Sequence, residues 1–130
     1  MALIRPLTIT PPAPRTRVTR SWAWRLVKRA HLRKHPTCAA CGNRYHLTVH
    51  HIVPVSVDRT LELVPSNLIT LCERSPLSIN CHLFIGHGGK WHTHNAHVVR
   101  DAAQLLTQVQ ATAQQWCTIA AGRTQVVRRW

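Results

Sequence analysis

Four cysteines constrain this chain more than any other feature: Cys38-Ala39-Ala40-Cys41 in its first third, then Cys72 and Cys81 downstream. A Cys-x-x-Cys turn followed by a second pair suits thiolate ligation of a metal ion, whereas a disulfide framework needs an oxidising compartment. The amino terminus lacks the apolar core of a signal peptide, and no stretch reaches the roughly 18 to 20 apolar residues that span a bilayer. A cytoplasmic protein with a structural zinc held by Cys38, Cys41, Cys72 and Cys81 is therefore expected, without a membrane partner, and Cys117 is left over. A four-thiolate ion is closed to water, so it serves folding and not chemistry. The chain needs such a staple, because 130 residues with eight prolines and ten histidines cannot bury a large apolar core.

Between the cysteine pairs lies Val49-His50-His51-Ile52-Val53-Pro54, a paired histidine among β-branched residues. The composition predicts a strand over 47–53 and a second over 67–71, then a short helix over 81–85 ended by Gly86 and the Gly88-Gly89 pair. Adjacent strand residues point to opposite faces, so His50 and His51 cannot both ligate one ion without distortion and must divide their labour.

The order Cys-x-x-Cys, His-His-Ile-x-Pro, Ser-Asn-Leu-Ile-Thr-Leu-Cys, Asn-Cys-His and Gly-His resembles the HNH endonucleases, particularly small four-cysteine members from bacteriophages, over residues 24 to 101. The resemblance implies an α+β fold of the ββα-metal kind with a structural zinc, flanked by an N-terminal and a C-terminal helix. It implies His50 and His82 as ligands of a catalytic divalent ion, with His87, five residues on, as a third. His51 becomes the general base and Asn67 the orienter that holds its loop. Many relatives carry Asp where this chain has His50, and a nitrogen ligand there shifts the usable metals from Mg toward Mn, Ni, Co or Zn. The products implied are a 5′ phosphate and a 3′ hydroxyl, and the phage relatives extend the list of partners to terminase subunits. Gly-His-x-Gly-x-Trp continues the likeness through Trp91, read either as a plug over the metal helix or as a DNA wedge. His92, His94 and His97 receive no role.

Charge points to the substrate. Seventeen Lys and Arg against four acids give +13, a balance that favours a polyanionic partner such as DNA. Residues 1–20 hold four prolines, four arginines and no acid, which predicts an extended arm with Arg15, Arg17 and Arg20 available to phosphates. Ser21 is the expected cap of a helix from Trp22 to Lys34 that buries Trp24, Val27 and Ala30 or His31 and offers Arg25, Lys28, Arg29 and Arg33 to DNA. A nuclease domain then covers 21–122, with its core over 36–97. Its last element is an amphipathic helix from Val98, apolar at Ala102, Leu105, Val109, Trp116 and Ile119 and ended by Gly122, packing on the domain and the first helix or forming a partner seam. Residues 123–130 read as a basic tail. The composite expectation is a metal-dependent endonuclease of DNA; the alternative is a zinc-stabilised nucleic-acid-binding protein without catalysis.

Overall fold

The computed structural model describes residues 19–75 and 79–127, with side chains up to 118. Arg15, Arg17, the side chain of Ile119 and the end of the basic tail lie outside the described residues.

Helix α1 spans Trp24–Lys34, two residues later than the sequence predicts. Ser21 does not cap it. The Ser21 hydroxyl accepts from the Ala23 N–H at 3.2 Å and its carbonyl accepts from the Trp24 N–H at 3.1 Å, closing a turn that leaves Trp22 outside the helix and in solvent. The helix ends where expected, with the His35 N–H still bonded to the His31 carbonyl and Pro36 unable to continue. Of the two candidates for its inner face, His31 is buried and Ala30 exposed.

The knuckle that follows is made by two crossed backbone bonds, Cys38 N–H to the Asn43 carbonyl at 2.7 Å and Gly42 N–H to the Cys38 carbonyl at 2.8 Å. Closing it requires φ +74° at Gly42, a conformation a side chain disfavours. Strands β1, Leu47–His51, and β2, Leu68–Cys72, then pair antiparallel, with Leu47 opposite Cys72, His50 opposite Ile69 and His51 opposite Leu68. β1 is two residues shorter than its β-branched composition suggests, while β2 keeps its expected length and lies one residue later. Asn67 ends in a 3-10 turn, Pro65–Asn67, and Ile52 to Val53 bends away to meet it.

The short metal-side helix is a single π-helical turn, His82–Gly86, lying over the sheet. Helix α2, Val98–Val127, is continuous through Gly122, which therefore does not end it. Val98 and Ala102 are fully buried, and Leu105 packs beside them. Trp116, four turns on, is 67% exposed. Among the described side chains, the helix thus packs principally on the π turn and the cysteine cluster through its first turns, and not on α1. No helix among the described residues is long and apolar enough to cross a membrane.

The core of this α+β fold is the cysteine cluster itself: Cys38, Ala40, Leu71, Cys72, Cys81, Val98 and Ala102 form its buried centre. With so little apolar surface hidden, burial alone is a weak source of stability.

Candidate metal centre and cleft

The four thiols fit a tetrahedral ion. Their sulfurs all lie within 4.8 Å of one another, and Cys41 Sγ is 3.7 Å from Cys72 Sγ. Zinc–sulfur bonds of about 2.3 Å place tetrahedral sulfurs about 3.8 Å apart, well beyond the disulfide length of about 2.05 Å. The electrostatics agree. The cluster favours one negative charge, since a hydrogen bond from Cys81 draws the Cys38 thiol well below the usual range, and resists a second, since burial pushes Cys41 up and the bond to Cys38 pushes Cys81 up. A divalent cation at the centre removes that conflict.

The second cluster is His50, His82 and His87, whose ligating nitrogens also lie within 4.8 Å of one another. Their rings stand edge to face with centroids 4.9 to 5.2 Å apart. The π turn explains the five-residue spacing of His82 and His87: a turn with i to i+5 bonds returns residue i+5 to the same side, which 3.6 residues per turn does not. Gly86 lets the turn sit on the sheet, because a Cβ there would meet the His50 ring at 3.1 Å and Leu71 Cδ1 at 3.2 Å. Asn95 fastens the turn from behind, its N–H bonded to the Gly86 carbonyl and its side-chain amide to the Ile85 carbonyl and Asp101.

Donor chemistry at this cluster suits a metal. His50 Nε2 and His82 Nδ1 are buried without hydrogen-bond partners, a costly state unless a ligand satisfies them. The nearest acid to His82 Nδ1 is Glu73, at 3.7 Å. His87 Nδ1 donates to the Thr93 carbonyl at 2.7 Å, which leaves its Nε2 as the lone pair. Burial, reinforced by His82 and His87, pushes His50 down to about 3, and burial with His87 lowers His82, so both rings are neutral and able to ligate at neutral pH. Trp91 stands over the cluster, 5.4 Å from the His82 ring and 5.3 Å from that of His87, and is half exposed.

His51 is not part of that cluster, in keeping with the alternation of a strand. Its Nε2 lies 2.9 Å from the Glu62 carbonyl, which can only accept, so the ring proton sits on Nε2. Nδ1 therefore carries the lone pair, and it meets Arg20 NH1 at 3.3 Å. Burial lowers the His51 pKa, and the Arg20 charge adds to this against the opposing Glu62 carbonyl bond. The ring is therefore neutral at pH 7. Asn67 is buried and spans the two arms of the loop: its side chain accepts from the Val53 N–H at 2.8 Å and donates to the carbonyls of Val53 and Leu61 at 3.0 and 3.2 Å.

Both histidine sites line one cleft of about 480 Å³, which Arg20, Trp24, Lys28, Trp91, His92 and His94 also line. Along α1, Arg25, Arg29 and Arg33 follow one another at one-turn intervals in solvent, beside a shallow groove floored by Trp24 and Leu32. None of these cations forms an ion pair with an acid among the described residues. The four acids of the chain are engaged elsewhere: Asp58 caps Thr60, Glu62 accepts from Ser21, Glu73 faces His82, and Asp101 holds Arg100 and Asn95.

Residues 38–83 match the family model of HNH endonucleases. That segment is an HNH domain. No curated protein and no solved structure matches the chain significantly. The HNH match spans the four cysteines, His50, His51, Asn67 and His82. His87 lies beyond it and joins by geometry alone. Sequence reasoning missed Glu62, which bonds His51 through its main chain and Ser21 through its carboxylate. Its one signal is scarcity, as one of four acids in the chain.

Proposed function

We propose that this protein is a metal-dependent endonuclease that hydrolyses DNA phosphodiester bonds, by nicking or by double-strand cleavage. What supports the reading most is the joint presence, in one cleft, of three converging imidazole nitrogens and a neutral histidine whose lone pair faces the same space.

In this reading His50, His82 and His87 hold a divalent ion, which when bound supplies positive charge to a phosphate oxygen and to the departing 3′ oxygen. His51 Nδ1 takes a proton from a water whose oxygen bonds to phosphorus as the P–O3′ bond breaks. The 3′ oxygen leaves as a hydroxyl after gaining a proton from solvent, and the 5′ phosphate stays on the other fragment. The Glu62 carbonyl keeps the lone pair on the correct nitrogen, and Asn67 keeps residues 52–62 from shifting the ring. The α1 cations, with Arg15 and Arg17 of the arm, hold the phosphate backbone, which fixes position but reads no bases. Reduced thiols are required throughout, in keeping with a cytoplasmic site of action. The likeness to small phage members extends the proposal to genome packaging beside a terminase subunit.

An all-nitrogen donor set discriminates among ions. Mg favours oxygen ligands, whereas imidazole suits Zn, Ni and Co and is accepted by Mn. Supercoiled plasmid incubated with the protein should be nicked or linearised with Mn, Co, Ni or Zn and much less with Mg. His82→Ala should require at least tenfold more metal for half-maximal rate, with partial recovery at excess. Failure of every ion to support cleavage, with DNA still bound, returns the protein to the class of binding modules.

The arm supplies a separate check on the substrate. Removing residues 1–18 deletes three arginines, so the slope of log affinity against log salt should flatten by up to about three units. Equal slopes for truncated and full chains would show that those arginines do not meet phosphates.

A further inference from the structure

We propose that Arg20 is a catalytic residue with two positions: in the free protein it covers the lone pair of His51, and in the DNA complex it moves onto the phosphate being cleaved and uncovers that base. The inference rests on the reading of His51 as the base and assigns the reaction a participant outside the HNH segment.

The geometry at Arg20 is specific. NH1 lies 3.3 Å from His51 Nδ1, the nitrogen left without a proton by the Glu62 carbonyl. A guanidinium only donates, so this contact occupies the acceptor needed for water. The guanidinium carbon sits 5.0 Å above the Trp24 ring, and Trp24 in turn lies 4.5 Å from the His51 ring, so the three side chains form one stack on the cleft wall.

The backbone around Arg20 is fastened while its side chain is not. Thr19 accepts from Arg59 at 3.0 Å and the Ser21 N–H donates to the buried carboxylate of Glu62 at 2.9 Å, both on the turn that also holds His51. Residue 20 is thereby fixed at the edge of the chain segment that lines the cleft. Its side chain is exposed and held by a long hydrogen bond and a solvent-facing cation–π contact, the weak forms of both interactions. A phosphate entering the cleft offers two charged oxygens in the fork geometry that arginine prefers, a stronger partner than a neutral imidazole. Transfer of Arg20 to that phosphate places a cation where negative charge grows in the transition state. It also frees Nδ1 at the moment substrate arrives.

Two measurements on the full chain test this. Under single-turnover conditions with saturating DNA and metal, Arg20→Ala should slow cleavage about 10²-fold, the loss typical of one transition-state donor, while DNA affinity changes only a few-fold. Arg20→Lys should recover only part of the rate because an ammonium lacks the fork. In the second measurement, ring nitrogens of labelled histidine are followed by NMR in protein that keeps its one tightly held zinc and has been stripped of exchangeable metal. The His51 Nδ1 resonance should shift when a short DNA duplex is added, and free Arg20→Ala should show a shift in the same direction. A variant as fast as the parent, or faster, overturns the proposal, as does an Nδ1 resonance that neither DNA nor the substitution moves. Failure of the base reading is distinct: it appears as full activity in His51→Ala, whatever Arg20→Ala does.

Discussion

His51→Ala should lower the single-turnover cleavage rate by about 10²-fold or more, with DNA and the divalent ion bound nearly as in the parent. The direction follows from where the residue stands. His51 does not belong to the three-nitrogen cluster, so its removal leaves the ligand set intact, and its ring contacts no α1 arginine. What disappears is an uncharged acceptor with its proton fixed on the far nitrogen. His50→Ala has the opposite profile, because it deletes a ligand: activity falls at low metal and returns in part when metal is raised. Titrating metal against both variants separates the roles of two neighbours. Recovery in the His51 variant alone would reverse the assignment, and full activity in both would remove this cleft from the chemistry.

That His50 joins the three-histidine group and His51 does not is legible in the sequence, since a strand alternates and the two neighbours point to different faces. The cysteine cluster was legible for a similar reason, as thiol spacing is a local property. What the sequence did not disclose were contacts made by main chain or by a change of helix type. Nothing in Glu62 as a residue announces that its carbonyl sets the tautomer of His51. The five-residue spacing from His82 to His87 does not fit an α-helical turn, and the π turn that it fits is set by packing on the sheet and by the Asn95 bonds. Gly122 marks a stop by propensity alone. A single glycine costs about 1 kcal/mol in a helix interior, which thirty residues of otherwise continuous helix absorb. The Ser21 cap failed by tertiary override: its N–H is drawn to the Glu62 carboxylate, and the hydroxyl closes a turn two residues ahead of the helix.

Cys72→Ser should give an insoluble or unfolded chain, and so should Cys41→Ser, while Cys117→Ser should fold and melt like the parent. Cys72 and Cys41 belong to the four-sulfur cluster, whereas Cys117 is exposed on α2 far along from its packed turns. The magnitude comes from comparing two energies. Structural zinc sites of this class contribute about 10–16 kcal/mol apparent free energy. A whole domain is stable by only about 5–15 kcal/mol. Here the cluster is also the centre of the apolar core, so a serine at position 72 removes a ligand and places a hydroxyl against Leu71, Val98 and Ala102. Both changes act in the same direction. Elemental analysis of the parent should find about one tightly held zinc per chain that survives mild chelation, with strong chelation unfolding the protein as the ion leaves. The three-histidine cluster should behave differently, because an ion on three protein ligands keeps an open position and exchanges more readily than one closed in by four thiolates. A folded, monodisperse sample of the parent without zinc would sink the assignment of the thiols, since the remaining apolar core is too small to hold β1, β2 and α2 together by burial alone.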